Sequence, residues 1–123
     1  MRFANLDLVV RDVPAATVFF RDVVGLIPRV SDERFAELAA GAVTIVLTPE
    51  AMVPIKPAQG VILHFQVDDI QEALQQARRH GAEVLLEPTC TDWGWESAMI
   101  ADAEEIVVGF HRHVTPHGVV RHR

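Results

Sequence analysis

The 123-residue chain has one cysteine, one lysine and no unbroken apolar stretch of membrane length, and each scarcity removes a class of protein. A lone Cys90 cannot build an internal disulfide framework and suits a reducing compartment. Positive charge is thin: 11 lysines and arginines stand against 17 aspartates and glutamates, for a formal net charge of -6. No basic stripe is therefore available to displace counterions from a nucleic-acid backbone. Arg78, Arg79 and His80 are the nearest thing to a patch, and at a helix end they read better as partners of its negative pole. Apolar runs are interrupted within a few residues by Arg, Asp or Gly, which excludes a spanning helix. Arg2 leads directly into NLDLVVRDV with no apolar leader. The expectation is a cytoplasmic protein that engages neither nucleic acid nor membrane.

What the sequence does contain is hydrophobic material, 50% of its residues, in a length suited to one compact domain. It also contains a duplication. LDLVVRDVPAATVFFRDVVG passes from an alternating strand into a helix ending at Gly25, and HFQVDDIQEALQQARRHG does the same from His64 to Gly81. Val10-Arg11-Asp12-Val13 matches Val67-Asp68-Asp69-Ile70 at an offset of 57 residues (67 less 10). Leu6, Leu8 and Val10, and again Leu63, Phe65 and Val67, have the two-residue period of strands that bury one face. An aspartate stands at each helix start, and Asp69 with Glu72 forms a capping-box pattern. Ile70, Ala73, Leu74 and Ala77 give the second helix an apolar side, with Gln71, Gln75 and Arg79 outward.

Each helix is followed by three short strand patterns: LIPRV, RFAELAA and AVTIVLTP in the first half, AEVLLEP, WESAMIA and IVVGFHR in the second. The predicted plan is strand, helix and three strands, performed twice. A single domain of residues 1–123 then divides into module one at about 3–48, a proline-rich linker at 49–60, module two at 61–113 and a tail at 114–123.

This arrangement, with LVVRDVPAATVFFRDVVGL, HFQVDDIQEALQQARRHGAEV, the Trp93-Gly94-Trp95 run and the DAEEIVVGF ending, resembles the vicinal oxygen chelate superfamily. That group includes glyoxalase I, extradiol dioxygenases, and fosfomycin- and bleomycin-resistance proteins. The resemblance runs from about Asn5 to Arg112 and implies an α+β fold, two βαβββ modules forming a curved mixed sheet around a cavity. It also implies metal ligands on the first strand of each module and on the last strand. Those places fall at Asn5, Ile62 and Gly109. Isoleucine and glycine have no side-chain donor for a metal, so the expectation is that no cofactor is bound. The closing turn, Asp102-Ala103-Glu104-Glu105-Ile106, departs from the family's Asp-Pro-Asp-Gly-Asn and lacks its Gly and Asn.

One strand step from the empty places lie Asp7, His64 and His111, a shifted set that would hold a divalent metal if the site had moved. The plainer reading of His64 is a cavity histidine bonded to Asp7, Gln66 or a backbone carbonyl, and of His111 and His113 a solvent-exposed strand end. Asn5, Asp7, Ile62, His64 and Gln66 share the parity opposite the apolar one and, with Trp93, Trp95 and Gly109, are the expected ligand-binding residues. No catalytic residue is assigned.

The functional expectation is metal-independent binding of a small aromatic or cationic molecule by a bleomycin-resistance-like homodimer, with modules either kept within a chain or exchanged between chains. Glu37, Asp7 and Glu96 would favour a cationic guest. A first alternative is a metal-dependent lyase, isomerase or dioxygenase using the shifted site, with Glu96 or Glu37 as base. Without metal, His64 and Asp7 would form a general-base pair. A second alternative is a non-catalytic structural or partner-binding protein.

Overall fold

The structure, a computed structural model, describes residues 1–56, 60–91 and 94–114. The chain falls into two compact units, Met1–Gln59 and Gly60–Arg123. The fold is α+β, with a βαβββ module in each unit. Among the described residues no helix is long and apolar enough to cross a membrane.

In the first unit, strand β1 (Asn5–Val9) leads into helix α1 (Val13–Phe19) and a π-helical turn (Phe20–Val24), followed by β2 (Ile27–Ser31), β3 (Ala36–Ala40) and β4 (Val43–Thr48). The sheet order is β1-β4-β3-β2, with β1 and β4 parallel and the other pairs antiparallel. Asp12 caps α1 by accepting the Ala15 N–H, which satisfies one of the donors a helix start leaves open. Gly25 ends the turn with φ 87°, in the left-handed region that favours glycine, and its N–H and that of Leu26 both donate to the Phe20 carbonyl. Val13, Ala16, Phe19 and Phe20 are buried, as are Leu38, Ile45 and Leu47 of the sheet.

The second unit repeats the plan with β5 (Leu63–Gln66), α2 (Ile70–Arg79), β6 (Glu83–Cys90), β7 (Trp95–Ala101) and β8 (Val107–His113), in the order β5-β8-β7-β6. Asp69 accepts the Glu72 N–H and caps α2 as Asp12 caps α1. The predicted apolar side of α2 is the one it buries: Ile70, Leu74 and Ala77 pack on the sheet face carrying Ala98, Ile100, Val108 and Phe110, each of them at most 2% exposed. Complete burial of a leucine or phenylalanine is worth about 1.5–3 kcal/mol, so this seam holds the helix to the sheet. Pro28 and Pro88 both fall on edge strands, β2 and β6, where the pairing register shifts. A residue without an N–H is tolerated there because a ladder bond is already missing.

Candidate functional site

β5, β8 and β7 lie side by side, so residues of one parity form rows across the face that α2 leaves open. His113 stands opposite Trp95, His111 stands between Gln66 and Ser97, and Gly109 stands between His64 and Met99. The antiparallel register between β7 and β8 has no irregularity, so alternation fixes which side chains share a face.

Trp95 is held through its main chain. Its N–H donates to the Thr91 hydroxyl oxygen at 3.1 Å, and its carbonyl accepts from the Thr91 N–H at 2.7 Å and from the hydroxyl at 3.1 Å. The indole lies against His111 and His113, with ring centroids 4.3 Å and 3.6 Å away. His111 in turn stacks on His64, at 5.4 Å and 25° between planes. Four rings thus run in contact across three strands. Such pairs contribute about 0.5–1.5 kcal/mol beyond the area they cover.

Gly109 makes room for the end of this run. A Cβ at position 109 would lie 2.5 Å from His64 Nδ1 and 2.7 Å from its Cε1. Those separations are far inside van der Waals contact, so any side chain at 109 displaces the imidazole. The Nδ1–Cε1 edge is the one against Gly109, and Nε2 is farther from it. His64 is an exposed residue, while His111, His113 and Trp95 are half-buried. The His111 pKa is pushed below the ordinary imidazole value, first by burial and then by the neighbouring charges of His64 and His113.

Several expectations change with this geometry. His111 and His113, read from sequence as a solvent-exposed strand end, are half-buried and bracket Trp95, because the end of β8 that carries them stays paired with β7 and continues the row begun at Gly109. The signal was present in the two-residue spacing of 109, 111 and 113. Glu96, expected as a base or a partner for a cationic guest, has the parity of Ala98 and Phe110, and its Oε1 accepts from Arg112 Nε at 2.6 Å. It belongs to the opposite face from the rings. Gln66 and His64 share the open face as expected; Ile62 lies just before β5 and is 41% exposed. Asn5 and Asp7 belong to the first unit, where the Asn5 amide donates to Asp7 Oδ1 and Asp7, Val46 and Glu37 stand in register across β1, β4 and β3. Trp93 lies outside the described residues.

The sequence matches the Glyoxalase/Bleomycin resistance protein/Dioxygenase superfamily over residues 2–110. The chain belongs to that superfamily. No curated protein matches it. Among solved structures it is similar to a conserved domain protein with 28% identity and a TM-score of 0.79, covering 92% of this chain and 99% of that one. It is also similar to TnmS3, an antibiotic-binding protein from Streptomyces sp. CB03234, with 22% identity, a TM-score of 0.73 and coverage of 92% and 96%. A lactoylglutathione lyase from Agrobacterium tumefaciens is 21% identical with a TM-score of 0.66, covering 90% and 92%. One scaffold thus serves a binding protein and an enzyme, and the fold alone does not choose between them.

The superfamily implies a metal, and the residues here do not fit one at the expected places. Asn5, Ile62 and Gly109 supply no imidazole or carboxylate, and the volume a side chain at 109 would need is taken by the His64 ring. Of the shifted set, His64 and His111 stack on one another within the second unit, while Asp7 belongs to the first unit and takes a hydrogen bond from Asn5. Among the described residues, no group of three or more His, Cys, Asp or Glu is arranged to hold a metal ion.

Proposed function

We propose that this superfamily member binds a small planar aromatic molecule without a metal, on the ring-lined face of β5, β8 and β7, and that it acts as a homodimer. The observation that carries the reading is the contact of Trp95 with His111 and His113, which fixes an indole on a sheet face that the unit's helix does not cover. Broad flat surfaces with a few polar edges take flat guests by stacking, and every aromatic guest offers such a face. Similarity to an antibiotic-binding protein accords with this reading. A lyase, isomerase or dioxygenase of the metal-dependent kind would have to use the shifted set Asp7, His64 and His111, because Ile62 and Gly109 carry no side-chain donor.

The test is tryptophan quenching, with calorimetry as a second readout, by a panel of naphthalene and acridine compounds in buffer containing EDTA. Saturable binding is expected, weakened at least tenfold, about 1.4 kcal/mol, in Trp95→Ala. Binding seen only when EDTA is left out of the buffer would return the metal-dependent reading. A panel that never saturates would remove small-molecule binding on this face.

A further inference from the structure

We infer that the seat of the guest ring is the bare main chain at Gly109, and that His64 is a displaceable cover whose imidazole holds this seat until a larger flat ring takes it. The inference rests on the ring-lined face being the binding site. It goes further by placing the guest on that face and by giving His64 and Gly109 opposite effects on affinity.

The four rings differ in how firmly they are held. Trp95 is pinned through Thr91 and lies 3.6 Å from His113 and 4.3 Å from His111 between ring centroids, and all three of these rings are half-buried. His64 is exposed and meets the run only through His111, at 5.4 Å. Among the described residues its ring has no hydrogen-bond partner. A flat guest gains a ring face only at an end of such a run, because the interior rings already cover one another. The ends are His113 and His64, and His64 is the loose one.

What lies beneath His64 decides how the guest enters. The residues of β8 on this face are Val107, Gly109, His111 and His113, so Gly109 is where the strand has no side chain of its own to cover it. Glycine inside a strand weakens it and often marks close approach by a ligand or another group. Here the imidazole makes that approach: a Cβ at 109 would stand 2.5 Å from His64 Nδ1 and 2.7 Å from Cε1. The space over Gly109 is therefore one that a flat ring can enter. Met99 and then Leu86 continue the row across β7 and β6, and Ser97 stands in the next row. A guest lying on the outer side of His64 would cover one exposed imidazole and little else. A guest in its place covers the main chain of β8 and the ring of His111, which removes more apolar surface from water. In leaving, the imidazole loses its single ring contact and no hydrogen bond to the described residues.

The experiment uses 2-naphthol, an uncharged probe at pH 7.5, with calorimetry on wild-type protein, His64→Ala, Gly109→Ala and the double variant. Removing the cover in His64→Ala should tighten binding several-fold. Gly109→Ala puts a methyl group into the seat and should weaken binding about tenfold, and it should do so again in the His64→Ala background, where no imidazole is left to displace. Gly109 has no left-handed φ, and the three atoms nearest an added Cβ all belong to His64. The double variant should therefore be more stable in urea than Gly109→Ala alone. On wild-type protein, nuclear Overhauser contacts from naphthol protons to the Gly109 α-protons are expected, and this readout needs no variant to fold. Weaker binding in His64→Ala, with Gly109→Ala silent in that background, would make His64 a wall of the site and overturn its role as cover, while planar binding stands. Saturable binding with no contact to Gly109 would move the seat elsewhere on the face, again leaving planar binding intact. No saturable binding in wild type or in His64→Ala would overturn both readings.

Discussion

His111 gives up its proton more readily than a free imidazole because its ring is half-buried between His64 and Trp95 with His113 beyond, and this has a consequence for stability. Its folded pKa lies below the ordinary 6.5, so between those two values the unfolded chain binds more protons than the folded one. Stability contributed by neutral His111 is full above pH 6.5 and is lost as pH falls through the lowered value. The denaturation midpoint should be flat with respect to this group above pH 7 and decline below 6.5, and His111→Gln should remove that part of the slope. A variant whose acid profile overlays the wild type would show that the ring is not strained in this way. Asp102 acts in the opposite sense at lower pH: burial raises its pKa above 3.8, so protonation favours the folded state.

At the scale of elements, the turn between β7 and β8 shows how one side chain replaces a missing glycine. Asp102 accepts from the Glu104 and Ile106 N–H groups, both at 2.9 Å, and closes the turn with Glu105 at φ 65°. A left-handed non-glycine residue costs about 1–2 kcal/mol; glycine would remove that strain but lose about 0.5–1 kcal/mol of it again through its greater freedom when unfolded. Glu105→Gly should therefore raise stability by about 0.5–1 kcal/mol in urea titrations, and a loss would mean that the Glu105 side chain has a role of its own.

The sequence carried the alternation of the strands, the aspartate at each helix start and the glycine ends because these are local: they follow from neighbours two to four residues away. It did not carry the side on which Glu96 lies, since that depends on the register of β7 against β8 and on Arg112 across the pair. It left His113 out of the site for the same reason, as its partner Trp95 is 18 residues away (113 less 95) and meets it only through strand pairing. The π-helical turn before Gly25 had no signal in the apolar spacing, which one extra residue per turn barely disturbs.

For the whole molecule, the proposed homodimer draws on surface that the single chain leaves to water. Phe3 is 64% exposed and Ile27 67%, and the edge strands β2 and β6 also expose Val30, Leu85 and Leu86. Apolar edges of this kind gain from being covered by a second copy. Light scattering at micromolar concentration should give twice the 13.6 kDa mass of the chain, and a single chain mass across that range would withdraw the dimer. The seat of His64 over Gly109 also bears on what this scaffold can become. A glutamate acquired at position 109 would meet the imidazole before it met any ion, so the His64 ring has to swing aside before a carboxylate there can reach outward. Positions 64 and 109 thus share one volume on the sheet, and what either side chain can reach depends on the other.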